Sequence, residues 1–417
     1  MKILLISYYS LPLNGVSSYR LDSFCNHFAS EDVDVTLLTR HWDENFTSWS
    51  DILATNKSAI EINTDKNYRV IRLPYISQNI GEGSKIQNKI RTLRSYLTGN
   101  LQPEIDAHTN FKKYALELLQ KEGDFDLILV SAPPNNLVKL AHYLNKKTGV
   151  PYVVDFRDFF NFTYLIKDSL ITRSDKIIHR LSLFHLKRWL KNSALITTVS
   201  PKLETVCKTE FNRPTLLVPN GYEAEYFENC NAHYTPNEVF TLSYLGSAYN
   251  QQDFSLIISG LLMFQKTYPT RKFKIQLIGL HNPKIEKLFT ASFDEQILVI
   301  HSERIPKKEI VKKTINSDVL MLPWNNFDHV YGTKVFDYIA SGSHILLAPS
   351  DGNLVEGLIK KTKVGSICNS ATDVCNDLDN QYLNWEKGLN KHFNEANIIE
   401  FSREMIAKDL LEKLHNF

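Results

Sequence analysis

Short apolar runs rich in Ile, Val and Leu alternate along this chain with stretches of helical period. Continuous apolar runs of that length read as strands buried on both faces, and their alternation with helices predicts parallel βαβ sheets. In the first half, strands are predicted at 3–7, 33–39, 68–73, 127–130, 152–154, 195–199 and 215–218, and helices at 17–29, 111–121, 136–147 and 175–191. Residues 42–67 show no period and are expected to form a long irregular loop. Residues 221–237 mix Gly, Pro, Asn and both charges, which marks a linker. The alternation then restarts, with strands expected at 240–245, 274–278, 297–300, 319–322, 345–347 and 364–367 and helices at 253–267, 306–315, 334–340 and 353–361. The pattern predicts an α/β fold of two doubly wound, Rossmann-like domains, 1–220 and 238–400, with ligands at the carboxyl ends of the strands.

A length of 417 residues suits two such domains, and 43% hydrophobic with 23% charged residues is the balance of a soluble globular protein. A net charge of +2 excludes no class of partner. The five cysteines (25, 207, 230, 368 and 375) are scattered and odd in number, as expected of reduced thiols in the cytoplasm. Residues 1–7 read as a first buried strand rather than a signal peptide, and no apolar run approaches the ~18 residues of a membrane span.

The strongest chemical signal is Gly332-Thr333-Lys334-Val335-Phe336-Asp337-Tyr338-Ile339-Ala340-Ser341-Gly342, which follows the apolar run 319–323. A strand, a loop and a helix opening with Gly and Lys make an anion site, because free N–H groups and the helix dipole favour negative charge there. Lys334 adds a point charge. Gly15 sits in the turn after the first strand, but it is the only glycine before Gly81, so the dinucleotide fingerprint is absent. Asp155-Phe156-Arg157-Asp158 follows a strand: Arg157 can bind a phosphate or carboxylate bidentately, and Asp155 and Asp158 can orient it or accept from sugar hydroxyls. In Ser131-Ala132-Pro133-Pro134-Asn135-Asn136 the prolines stiffen a turn and Asn135 is placed to cap a helix. Asp-Xaa-Asp triplets at 32–34, 124–126 and 377–379 fall at strand starts or in a polar helix and read as solvated boundaries. The histidines lack metal-ligand spacing, so no bound metal is expected.

Taken in order, these pieces resemble family-4 retaining glycosyltransferases, sugar-nucleotide enzymes of the GT-B fold. The matching segments are Leu11–Val16, Ser131–Pro134, Asp155–Asp158, Val199-Ser200, Val218–Gly221, Tyr244–Ser247 and Gly332–Gly342, and the Pro133-Pro134 pair is similar to the O-antigen and capsule branch. The resemblance implies two domains facing across a cleft, with residues 402–417 returning to the first. It implies donor contacts from Gly15, Gly246, Ser247, Arg304, Ile305, Gly332, Thr333, Lys334 and Val335. Asp337 stands where the family has a Glu that binds ribose, and His329 where it has a Glu that touches the donor sugar. Ser131, Asn135, Asp155 and Arg157 would line the acceptor side, and Lys334, Arg157 and Asp158 are the catalytic candidates. No cofactor is implied beyond the nucleotide-sugar substrate.

The expected activity is transfer of a hexose-type sugar, with retention, from a nucleotide-diphosphate donor to a hydroxyl of a glycan or polyprenyl-diphosphate-linked acceptor in bacterial surface polysaccharide synthesis. A nucleotide-sugar 2-epimerase of the same fold and a non-catalytic sugar-nucleotide-binding subunit are the alternatives. Two basic stretches bear on location. Residues 84–99 hold Lys85, Lys89, Arg91 and Arg94 with no acid, and residues 167–191 hold seven Lys/Arg against two Asp. Basic amphipathic helices can dock on anionic bilayers, so a peripheral position on the inner face of the cytoplasmic membrane is expected. No nucleic-acid motif accompanies the charge.

Overall fold

The computed structural model describes residues 1–13, 15–42, 53–77, 85–102, 104–158, 173–228, 235–250, 252–301, 303, 305–324, 330–389, 391 and 398–417. These divide into two compact units, Met1–Pro219 with Ile406–Phe417, and Asn220–Met405.

The first unit is built on β1 (Lys2–Ser7), β2 (Asp34–Arg40), β3 (Glu61–Asn63), β4 (Arg69–Leu73), β5 (Leu127–Ala132), β6 (Tyr152–Phe156), β7 (Leu195–Thr198) and β8 (Thr215–Leu217). They form one sheet in the order β3-β4-β2-β1-β5-β6-β7-β8. Each neighbouring pair is parallel except β3 with β4. The antiparallel edge strand β3 falls inside the stretch expected to be irregular. Its Glu61 and Ile62 are exposed, so it carries no apolar pattern to reveal it. On one face of the sheet, Ile3, Leu5, Val35, Leu37 and Leu129 pack against Leu21, Phe24 and Phe28 of the helix Val16–Ser30. Ile406, Leu410, Leu411 and Leu414 of the last helix join the same core.

In the second unit, β9 (Phe240–Leu245), β10 (Phe273–Ile278), β11 (Leu298–His301), β12 (Val319–Leu322), β13 (His344–Leu347) and β14 (Gly365–Ile367) form a parallel sheet in the order β11-β10-β9-β12-β13-β14. Both faces are covered. Val319 and Met321 of β12 enter a core with the helices Ser255–Thr267 and Ala371–Glu386. Leu320 and Leu322 enter the opposite one, with the helices Lys307–Ile315, Thr333–Ala340 and Leu354–Thr362. Burial on both sides explains why these strands read as continuous apolar runs.

The order of each sheet fixes a topological switch point, where successive strands run away in opposite directions. It lies between β1 and β5 in the first unit and between β9 and β12 in the second. Loops at the carboxyl ends of those strands are where an open α/β sheet binds ligands.

Beside the first switch point lies a buried ion pair. Arg20 Nη2 donates to Asp155 Oδ1 at 2.8 Å and Nε to Oδ2 at 3.2 Å, with the two side chains 2% and 1% exposed. Arg20 also donates to the carbonyls of Val218 and Pro219, so it ties the first helix to β6 and to the chain after β8. Removing one partner strands the other charge in the core, which typically costs about 3–5 kcal/mol. Asp155→Ala should therefore lower the chemical-denaturation stability by that amount, and the apolar pair Arg20→Met with Asp155→Leu should recover most of it. Equal losses in the single and double variants would show that the pair does not act as a unit.

Candidate functional site

In the second unit, β9 ends at Leu245 and the chain turns through Gly246, whose φ of +89° favours glycine. Gly279 turns likewise after β10 at φ +68°, and a Cβ built there would lie 3.7 Å from the Gly246 Cα. On the other side of the switch point, the chain leaves β12 through Trp324 and reaches the helix Thr333–Ala340, with Gly332 as its N-cap. A Cβ on Gly332 would come within 2.2 Å of the Trp324 ring, so any side chain at this position would push the helix start away from the sheet. As a glycine, Gly332 has no side chain with which to cap this helix end. Val335, Phe336, Tyr338 and Ile339 are buried beneath it, and the Tyr338 hydroxyl accepts from the Leu245 amide at 2.9 Å, locking the helix to the end of β9.

Lys334 projects from the first turn of this helix across the switch point. Its Nζ donates to the Ser247 carbonyl at 3.0 Å and to the Tyr244 hydroxyl, and it sits 4.0 Å from the centre of the Tyr244 ring. Both acceptors are neutral. Burial pushes the lysine down to about 7, because desolvation disfavours the charged form and no carboxylate among the described residues opposes it. An incoming anion would supply the missing opposite charge. Thr333, Gly332 and Gly246 flank this position half-buried, and Val335 lies inside the core beneath it.

Asp337 is one turn further along. Its carboxylate is half-buried and paired with Lys307 at the start of the helix Lys307–Ile315, so a ribose contact would have to share or displace that lysine. Ile305 is half-buried and packs on the core below the helix. Arg304 and His329 lie outside the described residues.

In the first unit, Arg157 follows β6 and reaches back over β5. Its Nε donates to Ser131 Oγ at 3.0 Å, its guanidinium also donates to the Pro133 carbonyl, and its carbon lies 4.9 Å from the ring centre of Tyr9 after β1. Arg157 is half-buried and Asp158 beside it is exposed. Ser131 and Asp155 were expected to meet ligand, and here the structure corrects the sequence reading. Both are buried, and their polar atoms are engaged. Ser131 Oγ donates to Asp155 Oδ2 at 3.2 Å, and Thr197 Oγ1 donates to Asp155 Oδ1 at 2.7 Å. Burial raises the Asp155 pKa, but the Arg20 charge and the hydrogen bonds from Arg20 and Thr197 outweigh it and hold the group below its ordinary value. Asp155 thus holds Ser131, which in turn receives Arg157, the orienting arrangement that the sequence allowed beside a sugar contact.

Asn135 occupies the N-cap position of the helix Asn136–Thr148 but makes no capping hydrogen bond, because its backbone is already helical at φ −69° and ψ −10°. Its buried Nδ2 has no partner. Gly15 is the N-cap of the helix Val16–Ser30 at φ −151°, with room around it for a side chain, so the fold itself does not require glycine there. The third acidic triplet also departs from expectation. Asp377 is buried between His344 Nε2 and Ser366 Oγ, and Asp379 pairs with Arg271.

The sequence reading gave no role to Tyr244, Trp324 or Gly279. Only Gly279 carried a local signal, a glycine directly after a predicted strand.

No protein-family model matches the chain, and no curated protein matches it by sequence. Solved structures do match along its whole length. Sucrose-phosphate synthase from Thermosynechococcus elongatus superposes with a TM-score of 0.64 at 14% identity, covering 100% of this chain and 98% of that one. The α,α-trehalose-phosphate synthase (UDP-forming) of Burkholderia vietnamiensis gives 0.59 at 9%, and Anabaena HepE in complex with UDP gives 0.60 at 11%, each covering 100% of both chains. The chain has the GT-B fold. Its likeness to these glycosyltransferases is one of fold, and its site is argued from its own residues.

The depressed Lys334 pKa makes a stability prediction. Between about 7 and 10.5 the unfolded lysine holds a proton that the folded one lacks, so folding stability should rise with pH across that window. Lys334→Met should flatten this rise and stabilise the free protein below it, as read from melting temperatures at several pH values. An unchanged pH profile in the variant would mean that Lys334 is solvated and ordinary.

Proposed function

We propose that this protein is a retaining glycosyltransferase that moves a hexose-type sugar from a nucleotide-diphosphate donor to a hydroxyl of a glycan or polyprenyl-diphosphate-linked acceptor. One observation carries the reading: a lysine whose partners among the described residues are all neutral, in the first turn of a helix that opens on glycine, on the switch point of a parallel sheet. That arrangement suits a diphosphate. The helix N-terminus offers backbone N–H groups and a positive dipole end, and Lys334 offers a mobile charge. The GT-B neighbours include a UDP-forming synthase and a protein solved with UDP, which supports a sugar-nucleotide donor.

In the proposed reaction the bond between the sugar's anomeric carbon and the diphosphate oxygen breaks, the acceptor hydroxyl oxygen forms the new bond on the same face, and its proton passes to the departing diphosphate. Negative charge grows on the leaving diphosphate as it departs. Lys334 would take up its proton as the donor binds, and its charge would then strengthen its hold on the diphosphate through the transition state. Asp337 would reach the ribose by sharing Lys307. Arg157, held by Ser131 and Asp155, would bind an anionic group of the acceptor. We assign no metal to the reaction. The setting would be bacterial surface polysaccharide synthesis, with the enzyme peripheral on the inner membrane face.

Product analysis tests the reaction class: transfer releases a nucleoside diphosphate, whereas an epimerase leaves the sugar nucleotide intact. Activity should survive chelation of divalent ions, and specific loss restored by Mg²⁺ or Mn²⁺ would contradict the metal-free reading. Lys334→Ala removes a charge-assisted hydrogen bond worth about 1.5–3 kcal/mol, so turnover should fall on the order of 10–100-fold beyond any loss of donor affinity. Asp337→Ala should chiefly raise the donor KM. A folded Lys334→Ala enzyme with normal turnover and normal diphosphate affinity would remove this lysine from the site.

A further inference from the structure

The first unit has a cavity of about 420 Å³ between the helix Lys85–Leu97 and the start of the helix Asn136–Thr148. Its charged lining is Arg91, Arg94 and Lys139 against Asp106, with His108 and Asn136 also at the wall. Asp106 is committed to the protein, because it caps the next helix through the Thr109 amide. Lys139 donates to the Thr98 carbonyl at 3.0 Å. Burial lowers its pKa, Asp106 opposes that shift, and Lys112 and Arg188 add to it. His108 is pushed down to about 4, by burial first and then by Lys139, so it is a neutral donor at physiological pH. Lys112 and Arg188 thus press on Lys139 as like charges, and an anion beside it would relieve them.

Two further observations specify the anion. Asn136 is 1% exposed, and its Nδ2 donates to Asn100 Oδ1 and the Ile105 carbonyl, but its buried Oδ1 has no partner among the described residues. An acceptor without a donor in a cationic cavity calls for a ligand that carries a hydroxyl as well as negative charge. The helix that lines the cavity also bears Ile86, Ile90, Leu93 and Leu97, all exposed, at spacings that put them on one face. Tyr96 is buried and anchors the helix to the unit, and the chain just beyond it packs Gly99 against Trp189, so this face is not held outward by fraying. An apolar stripe next to a cationic cavity matches an amphiphile with a phosphate head.

We propose that this cavity binds the hydroxyl-bearing phosphate headgroup of an anionic membrane lipid, while Ile86, Ile90, Leu93 and Leu97 enter the acyl layer. The proposal rests on the reading that the enzyme works at a membrane surface, and it replaces diffuse attraction by a defined headgroup site. Arg94 and Lys139 would hold the phosphate, His108 would donate to it, and Asn136 Oδ1 would accept from the headgroup hydroxyl.

The test is sedimentation with vesicles of phosphatidylcholine, with and without phosphatidylglycerol, using glycerol 3-phosphate as a soluble competitor and sodium chloride of equal ionic strength as its control. The protein should bind only the phosphatidylglycerol vesicles, and glycerol 3-phosphate should release it more than the salt does. Arg94→Gln with Lys139→Gln should weaken binding by on the order of 10-fold or more. If that pair melts early, Arg94→Gln alone carries the test with about a fivefold loss, since Arg94 is exposed and holds no ion pair among the described residues. Unchanged partitioning in folded variants, or equal release by salt, overturns the proposal. Binding of glycerol 3-phosphate without vesicle binding overturns the lipid source and assigns the cavity to a soluble phosphate ester. The melting shift caused by nucleoside diphosphates is read in parallel. Lost vesicle binding with a retained shift sinks only the lipid site, whereas vesicle binding without a shift sinks the donor reading.

Discussion

A charge buried at the end of a β-sheet must find partners or give up its ionised form, and this constraint shapes both halves of the protein. At the carboxyl edge of the first sheet the demand is met internally. Asp155 receives Arg20, Ser131 and Thr197, and Arg20 in turn satisfies two main-chain carbonyls. The result is a rigid floor from which Arg157 rises. At the same edge of the second sheet the demand is left open. Among the described residues Lys334 has a ring, a hydroxyl and a carbonyl but no anion, and its proton is held loosely.

The difference separates structural charge from functional charge. A closed ion pair adds specificity to the core and has nothing left to offer a ligand. An unmatched lysine at a helix N-terminus costs the free protein stability, and binding an anion returns that cost as affinity. Parallel strand order is what allows both arrangements. Every strand in the second sheet ends at one edge, so the turns at Gly246 and Gly279 and the start of the helix Thr333–Ala340 meet where β9 and β12 diverge.

Most of this architecture was legible in the sequence because strands buried on both faces announce themselves as unbroken apolar runs. The exceptions have physical reasons. β3 is an exposed edge strand with polar ends. The helices Pro201–Phe211 and Pro283–Thr290 are short, and their clearest signals were the caps Ser200 and Asn282 followed by proline rather than any period. For the candidate site, the place of Lys334 at a helix start beyond a strand was legible because strand, loop and helix start are contiguous in the chain. The ion pair of Asp155 was not legible because its partner Arg20 lies far away in sequence, and nothing near Asp155 shows that its oxygens are taken. The part of Tyr244 was hidden for the same reason, since its contact with Lys334 joins β9 to a helix far away in sequence.

The central claim is that Lys334 is the charge that meets the donor's diphosphate. Calorimetric titration of the free protein at pH ~8, with whichever of UDP, GDP or ADP raises its melting temperature most, tests this directly when repeated in buffers of different ionisation heat. At that pH the nucleotide is fully ionised, while burial leaves Lys334 largely neutral with a pKa of about 7. The account predicts uptake of close to one proton per bound diphosphate, and loss of that uptake with weakened binding in Lys334→Met. Binding without proton uptake, unchanged in the variant, would contradict it.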